Sequence, residues 1–168
     1  MGFATFSGPL RSGTQRYGAA ENTGLMTLSR TAYVNVSGVA LTAAPVAQTL
    51  FTLPAGAKIL NFVTEVLVTI AGNGVTQVGV TIGKTGSAAE FAASFNTGTA
   101  VARVTQANMD AAITSKVASL DNIGSVDVPV TGTFTATTGN PTSGQIAITV
   151  IYQQRADNGA QVPAATQN

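Results

Sequence analysis

Residues 124–154, GSVDVPVTGTFTATTGNPTSGQIAITVIYQQ, alternate β-branched and polar residues on either side of one loop signal. That two-residue period is the strand signature, because successive side chains leave a strand on opposite faces. Ile146, Ile148, Val150 and Tyr152 fall on one face of the last strand, and Ala147, Thr149 and Ile151 on the other. Around them the chain supplies more of the same. QTLFTLP at 48–54 is a short strand ending at a proline, AGA at 55–57 turns, and KILNFVTEVLVTIAG at 58–72 is a long run. In that run Leu60, Phe62, Thr64, Val66, Val68 and Ile70 form the more apolar series and are expected to face the core. AGNGV at 71–75 is a hairpin signal, since Asn-Gly accepts the positive φ of a tight turn. TQVGVTIG at 76–83 is expected to return as the partner strand. LMTLSRTAYVNVSG at 25–38 alternates only in part, so a bulge or bend is expected there.

One stretch reads as helix. In TQANMDAAITSKVASL, residues 105–120, Met109, Ile113, Val117 and Leu120 line one stripe over three turns. Thr105 or Asn108 could cap it, and Asp110 suits an early turn. The sum is an all-β fold: an antiparallel, jelly-roll-like β-sandwich with one short helix. The sandwich spans residues 25–154, between an extended N-terminal arm at 1–24 and a flexible C-terminal tail at 155–168.

The arm, which includes FATFSGPLRSGTQRYG, has frequent glycines and no periodic apolar pattern. Two readings are open. It is a disordered tail, unable to offset its ordering entropy alone; or it orders against a partner, inserting spaced side chains. On the second reading Phe3, Phe6, Leu10, Arg11, Arg16 and Tyr17 are the inter-subunit contacts, the arginines supplying planar donors.

The residue inventory excludes much chemistry. The chain has no histidine and no cysteine, which removes the usual ligands for zinc, copper and haem and the nucleophile–histidine machines. Carboxylates are the remaining acid–base groups: Glu21, Glu65, Glu90, Asp110, Asp121, Asp127 and Asp157. No two sit in a recognisable glycosidase setting, tryptophan is absent, and DNIGSVD at 121–127 lacks the alternating oxygens of a calcium loop. No enzyme activity, cofactor or metal site is expected. VGVTIGKTGS at 78–87 approaches a phosphate-binding loop, but Val78 stands where the first glycine belongs and no helical pattern follows. Lys84 is therefore expected to be a solvated turn lysine.

Only 9% of residues are charged and the net charge is +1, against roughly 25% charged in ordinary soluble domains. Clustered Lys and Arg for nucleic acid are missing. No apolar run reaches the roughly 20 residues of a membrane span, the longest being interrupted by Glu65. The first residues lack a secretory signal's basic head, and Phe6 breaks a myristoylation pattern. Nucleic-acid and membrane partners are not expected. A chain that is 45% hydrophobic with so little charge either covers itself with Thr, Ser, Asn and Gln or is covered by other chains.

Residues 51–70, FTLPAGAKILNFVTEVLVTI, followed by VGVTIGKTGSAAEFAAS, resemble a pattern in small structural proteins of tailed bacteriophages. The shared residues are Phe51, Leu53, Pro54, Ala55, Gly56 and Ala57, then Val80, Ile82, Gly83, Phe91 and Ala92. SGPLRSGT at 7–14 with NTGLMTLSR at 22–30 is similar to the arm and first strand of such proteins. The resemblance covers most of residues 7–152. It implies a capsid decoration (cement) protein or a related head or tail accessory, non-enzymatic and commonly trimeric. It further implies the major capsid protein as partner, a homo-oligomer, and a place on the capsid surface after assembly in the host cytoplasm. A receptor- or glycan-binding appendage, reading a ligand with the loops at Gly83–Gly86 and Thr137–Gly144, is the alternative.

Overall fold

The computed structural model describes residues 25–37 and 45–155. Eight strands and two helices follow in chain order: β1 (Leu25–Asn35), β2 (Val46–Leu53), β3 (Lys58–Ala71), β4 (Gln77–Lys84), β5 (Ser87–Asn96), β6 (Ala102–Arg103), α1 (Gln106–Thr114), α2 (Val117–Asp121), β7 (Val128–Thr137) and β8 (Ser143–Arg155). They form two four-stranded antiparallel sheets, ordered β1-β8-β3-β6 and β2-β7-β4-β5. The first strand pairs with the eighth, the second with the seventh, the third with the sixth and the fourth with the fifth. This is a long antiparallel ribbon rolled into a barrel-like sandwich, the jelly-roll winding. Rolling adds the β3–β8 and β4–β7 pairings that close each sheet.

The β3–β4 connection corrects the expected hairpin. Asn73 and Gly74 do take positive φ, 49° and 73°, and Val75 N–H donates to the Gly72 carbonyl at 3.0 Å. The chain reverses as Asn-Gly predicts. However, β3 lies in one sheet and β4 in the other, so the turn is a crossover between layers. Among the described residues the hairpin of consecutive paired strands is β4–β5, closed by Thr85 and Gly86, with Lys84 opposite Ser87.

Strand polarity assigns every loop to one of two ends. The β1–β2, β3–β4, β5–β6 and β7–β8 connections share one end, here the loop end. The β2–β3 turn, the β4–β5 hairpin and both helices lie at the other, the helix end, where β1 begins opposite the last residue of β8. The loop end is tied together: Thr142 N–H donates to Ala71 O at 2.8 Å and Val36 N–H to Gly144 O at 3.1 Å, while Asn73 Nδ2 donates to Asn140 O at 2.8 Å.

The core fills the space between the sheets. Phe62, Phe91, Phe134, Leu53, Ile82, Ile146 and Ile148 are among its fully buried side chains. Ile146, Ile148, Val150 and Tyr152 all point inward, as the alternation predicts. On β3 the expected series holds for Phe62, Thr64, Val66 and Ile70, whereas Leu60 and Val68 are exposed and Ile59 is buried instead. The cause is irregular register against β8, with shifts between Ile59 and Asn61 and between Val66 and Val68. Each shift swaps the face that the following side chains occupy.

β1 carries no bulge; its register with β8 runs unbroken from Leu25 to Asn35. The apparent break came from Arg30, which occupies an inward position at the rim and donates from its guanidinium to Thr52 O of β2 at 2.8 Å. The expected single helix is two. Lys116 at the start of α2 leaves helical geometry, with φ −115° and ψ 7°, and the stripe breaks with it. Met109 and Leu120 are buried but Val117 is 63% exposed. Thr105 is the N-cap residue of α1 without a side-chain bond to the helix, and the first turn holds no acidic residue. Asp110 instead accepts from Gln106 Nε2 at 2.7 Å. α1 lies along β5, and α2 against β3 and β5, so both helices cover one edge of the sandwich. The segment 87–96, poor in strand formers, is strand β5 with register shifts that accommodate it. Its signal was tertiary: β4 and the helices supply the pairing and cover that its small residues do not advertise.

Candidate functional site

The candidate arm contacts Phe3, Phe6, Leu10, Arg11, Arg16 and Tyr17, and the carboxylates Glu21 and Asp157, lie outside the described residues. The remaining carboxylates are dispersed. Asp121 pairs with Lys58 at 2.6 Å. Asp127 Oδ1 accepts from Ala55 N–H at 2.9 Å, fixing the turn after β2. Glu65 stands on the outer face of its sheet, level with Arg103 of β6. Among the described residues no group of three or more His, Cys, Asp or Glu could hold a metal ion. No described helix is long and apolar enough to cross a membrane.

The GKTG stretch turns a corner. A Cβ on Gly83 would collide with the backbone of Ser87 and Ala88, so glycine lets β5 start close beside β4. Gly86 takes φ 84° to close the hairpin. Lys84 is not simply solvated: its Nζ lies 3.1 Å from Glu90 Oε1. Glu90 also accepts from Ser87 Oγ at 2.9 Å and from Ser119 Oγ of α2 at 3.3 Å. The Lys84 hydrogen bond, then that of Ser87, hold the Glu90 carboxyl below its ordinary value despite some burial. This cluster fastens the hairpin to α2 and presents no free anion site.

What the fold presents outward is two faces nearly empty of charge. On the β2-β7-β4-β5 sheet, β7 directs Thr131, Thr133, Thr135 and Thr137 outward, alternating with buried Val130, Phe134 and Ala136. Thr133 aligns with Ala47 on one side and Thr81 on the other, and Thr131 with Thr49 and Gly83. β2 and β7 contain no charged residue. The opposite face carries Ser29, Thr31 and Tyr33 on β1 and Gln145, Ala147 and Thr149 on β8. Tyr33 is 67% exposed there. Between the two ends, Glu65 and Arg103 are the charges the described strands place on these faces. Threonine suits such surfaces, its branch fitting the pleat and its hydroxyl facing solvent or a partner.

A shallow depression of about 330 Å³ lies on the threonine face near the loop end, lined by Gln77, Gly79, Ser94, Phe95, Asn96, Thr135 and Thr137. Its amides are joined to one another: Asn96 Nδ2 donates to Gln77 Oε1, and Gln77 Nε2 reaches Thr137 Oγ1 at 3.3 Å. The two loops weighed as ligand readers do not converge. Thr137 pairs with Gln77 at one end of β4, and Gly83–Gly86 sits at the other. Eight residues of strand separate them by roughly 25 Å.

No protein-family model and no curated protein matches the chain. Among solved structures it is similar to a chain of the cyanophage Pam1 capsid asymmetric unit, at 20% identity and TM-score 0.45, covering 86% of this chain and 98% of that one. It is also similar to a chain of the acid-stable capsid structure of Helicobacter pylori bacteriophage KHP30, at 12% identity and TM-score 0.42, covering 78% and 94%.

Proposed function

We propose that this chain is a structural protein of a tailed-phage particle, a decoration or cement protein that binds the outside of the capsid shell and bridges neighbouring capsomers. The observation that carries the reading is the near absence of charge from both outer faces of the sandwich. Charged groups are costly to strip of water at an interface, whereas Thr, Ser and Gln exchange water for neighbours at little cost. A flat neutral face is thus suited to packing against the major capsid protein and against sister copies, with a trimer as the expected assembly. The phage-like run at 51–70 and 78–94 points the same way. Each contact can be modest, because several on one assembly act together. The test is co-sedimentation of the purified protein with empty phage heads, with light scattering for its own mass. Saturable binding at fixed stoichiometry by a trimer supports the reading; a monomer that leaves heads untouched overturns it.

The hydroxyl- and amide-lined depression at Gln77, Asn96 and Thr135 favours a second reading, a glycan-binding appendage. Glycan-array binding abolished by Asn96→Ala, without affinity for heads, would establish it over the first.

A further inference from the structure

A two-sheet sandwich has four edges, and an unpaired edge is a template for another strand unless something blunts it. Three edges here are blunted. β2 is bulged at Leu50 and lies between Pro45 and Pro54, and its Thr52 carbonyl is taken by Arg30. β5 is overlaid by α1. β6 is two residues long. The fourth edge, β1, has none of these devices. It runs eleven residues in unbroken register with β8, contains no proline, glycine or lysine, and is paired on its other side by no strand among the described residues. Its one charged side chain, Arg30, is turned across the rim to β2.

We propose that the free edge of β1 is completed by strand addition, and that the added strand is drawn from residues 1–24 of a second copy of this chain. The inference rests on the reading of the chain as a multi-copy structural protein. An edge of this kind leaves the N–H and C=O of roughly every second residue pointing outward, and only an extended segment satisfies that row. The chain supplies such a segment: 24 residues without a core-forming pattern precede Leu25. Fully extended they reach at most about 80 Å, several times the width of a four-stranded sheet. Their root favours a neighbour's edge over their own. β1 starts at the helix end and runs away from it, so an arm continuing outward from Leu25 leaves its own edge behind and returns only by reversing. An arm of that length spans the distance to the β1 edge of a neighbouring copy.

The chain contains no cysteine, so single cysteines report cleanly. Full-length Ser12→Cys and Ser29→Cys proteins, differing in mass tag, are mixed and treated with a bismaleimide; Ser29 is exposed on β1. Thr135→Cys, exposed on the opposite sheet, replaces Ser29→Cys as the control acceptor. Strand addition raises the local concentration of arm at β1, so the Ser12–Ser29 crosslink should exceed the Ser12–Thr135 crosslink about tenfold. β1 amides should gain exchange protection with rising protein concentration while β2 amides do not. Equal yields in the two mixtures overturn the proposal. So does predominant Ser29–Ser29 linkage, which makes the occupant a second β1, or linkage confined within single chains of the double variant Ser12→Cys/Ser29→Cys. Co-sedimentation with heads is read separately: heads bound without arm exchange sinks only the strand addition, and arm exchange without head binding sinks only the cement reading.

Discussion

Thr64 is the most informative single position in the core. It lies on β3 between Phe62 and Val66, wholly buried, and its carbonyl accepts from Val104 N–H at 2.9 Å. Its hydroxyl has no hydrogen-bond partner. A buried hydroxyl left unpaired costs about 1–3 kcal/mol of desolvation. Thr64→Val keeps the branched shape, removes that polar group and places a methyl against the core. The variant should be more stable by about 1–2 kcal/mol. With a urea slope of about 1–3 kcal/mol per M, the unfolding midpoint should rise by roughly 0.3–2 M at unchanged slope and fixed protein concentration. Thr64→Ser is the counter-variant: it keeps the hydroxyl, loses the methyl, and should cost about 1 kcal/mol. An unchanged or lowered midpoint for Thr64→Val would refute the reasoning. It would mean the hydroxyl is paired in solution, with a buried water as the physical candidate.

Gly83→Ala should destabilise by about 1–3 kcal/mol, because the new methyl must displace the backbone of Ser87 and Ala88; thermal denaturation reads it, and a neutral effect would mean the hairpin is looser. Asn73→Ala loses both a residue tolerant of φ 49° and the bond to Asn140, and should cost about 1–2 kcal/mol in a denaturant titration. Phe62→Ala empties the centre of the core and should cost about 3–5 kcal/mol by the same measurement. Glu90 has a lowered carboxyl pKa, so its stabilisation is full above the ordinary value near 4.5 and is lost as pH falls below it. Glu90→Gln should therefore be slightly less stable at pH 7, by under about 1 kcal/mol for so exposed a pair. Its stability should also fall less than the wild type's on acidification through that window; parallel pH profiles would refute the assignment.

The β8 alternation of Ile146, Ile148, Val150 and Tyr152 fixed an inward face before any partner was known, because the period of a strand is a property of its own backbone. The same holds for the Asn73-Gly74 reversal and for the exclusion of histidine and cysteine chemistry. Partner choice was not legible. Asn-Gly specifies that the chain turns, through φ at two residues, and is silent on whether the next strand joins the same sheet or the facing one. The irregular register of β3, which exposes Leu60 and Val68, depends on β8 some eighty residues away. Lys84 reaches Glu90 across the β4–β5 hairpin, and Glu90 found Ser119 only because α2 folds back over that hairpin. Local sequence determined strands, turns and a composition poor in charge; the rolling of the ribbon decided which edge was left open, because an edge exists only once every other strand has found its neighbour.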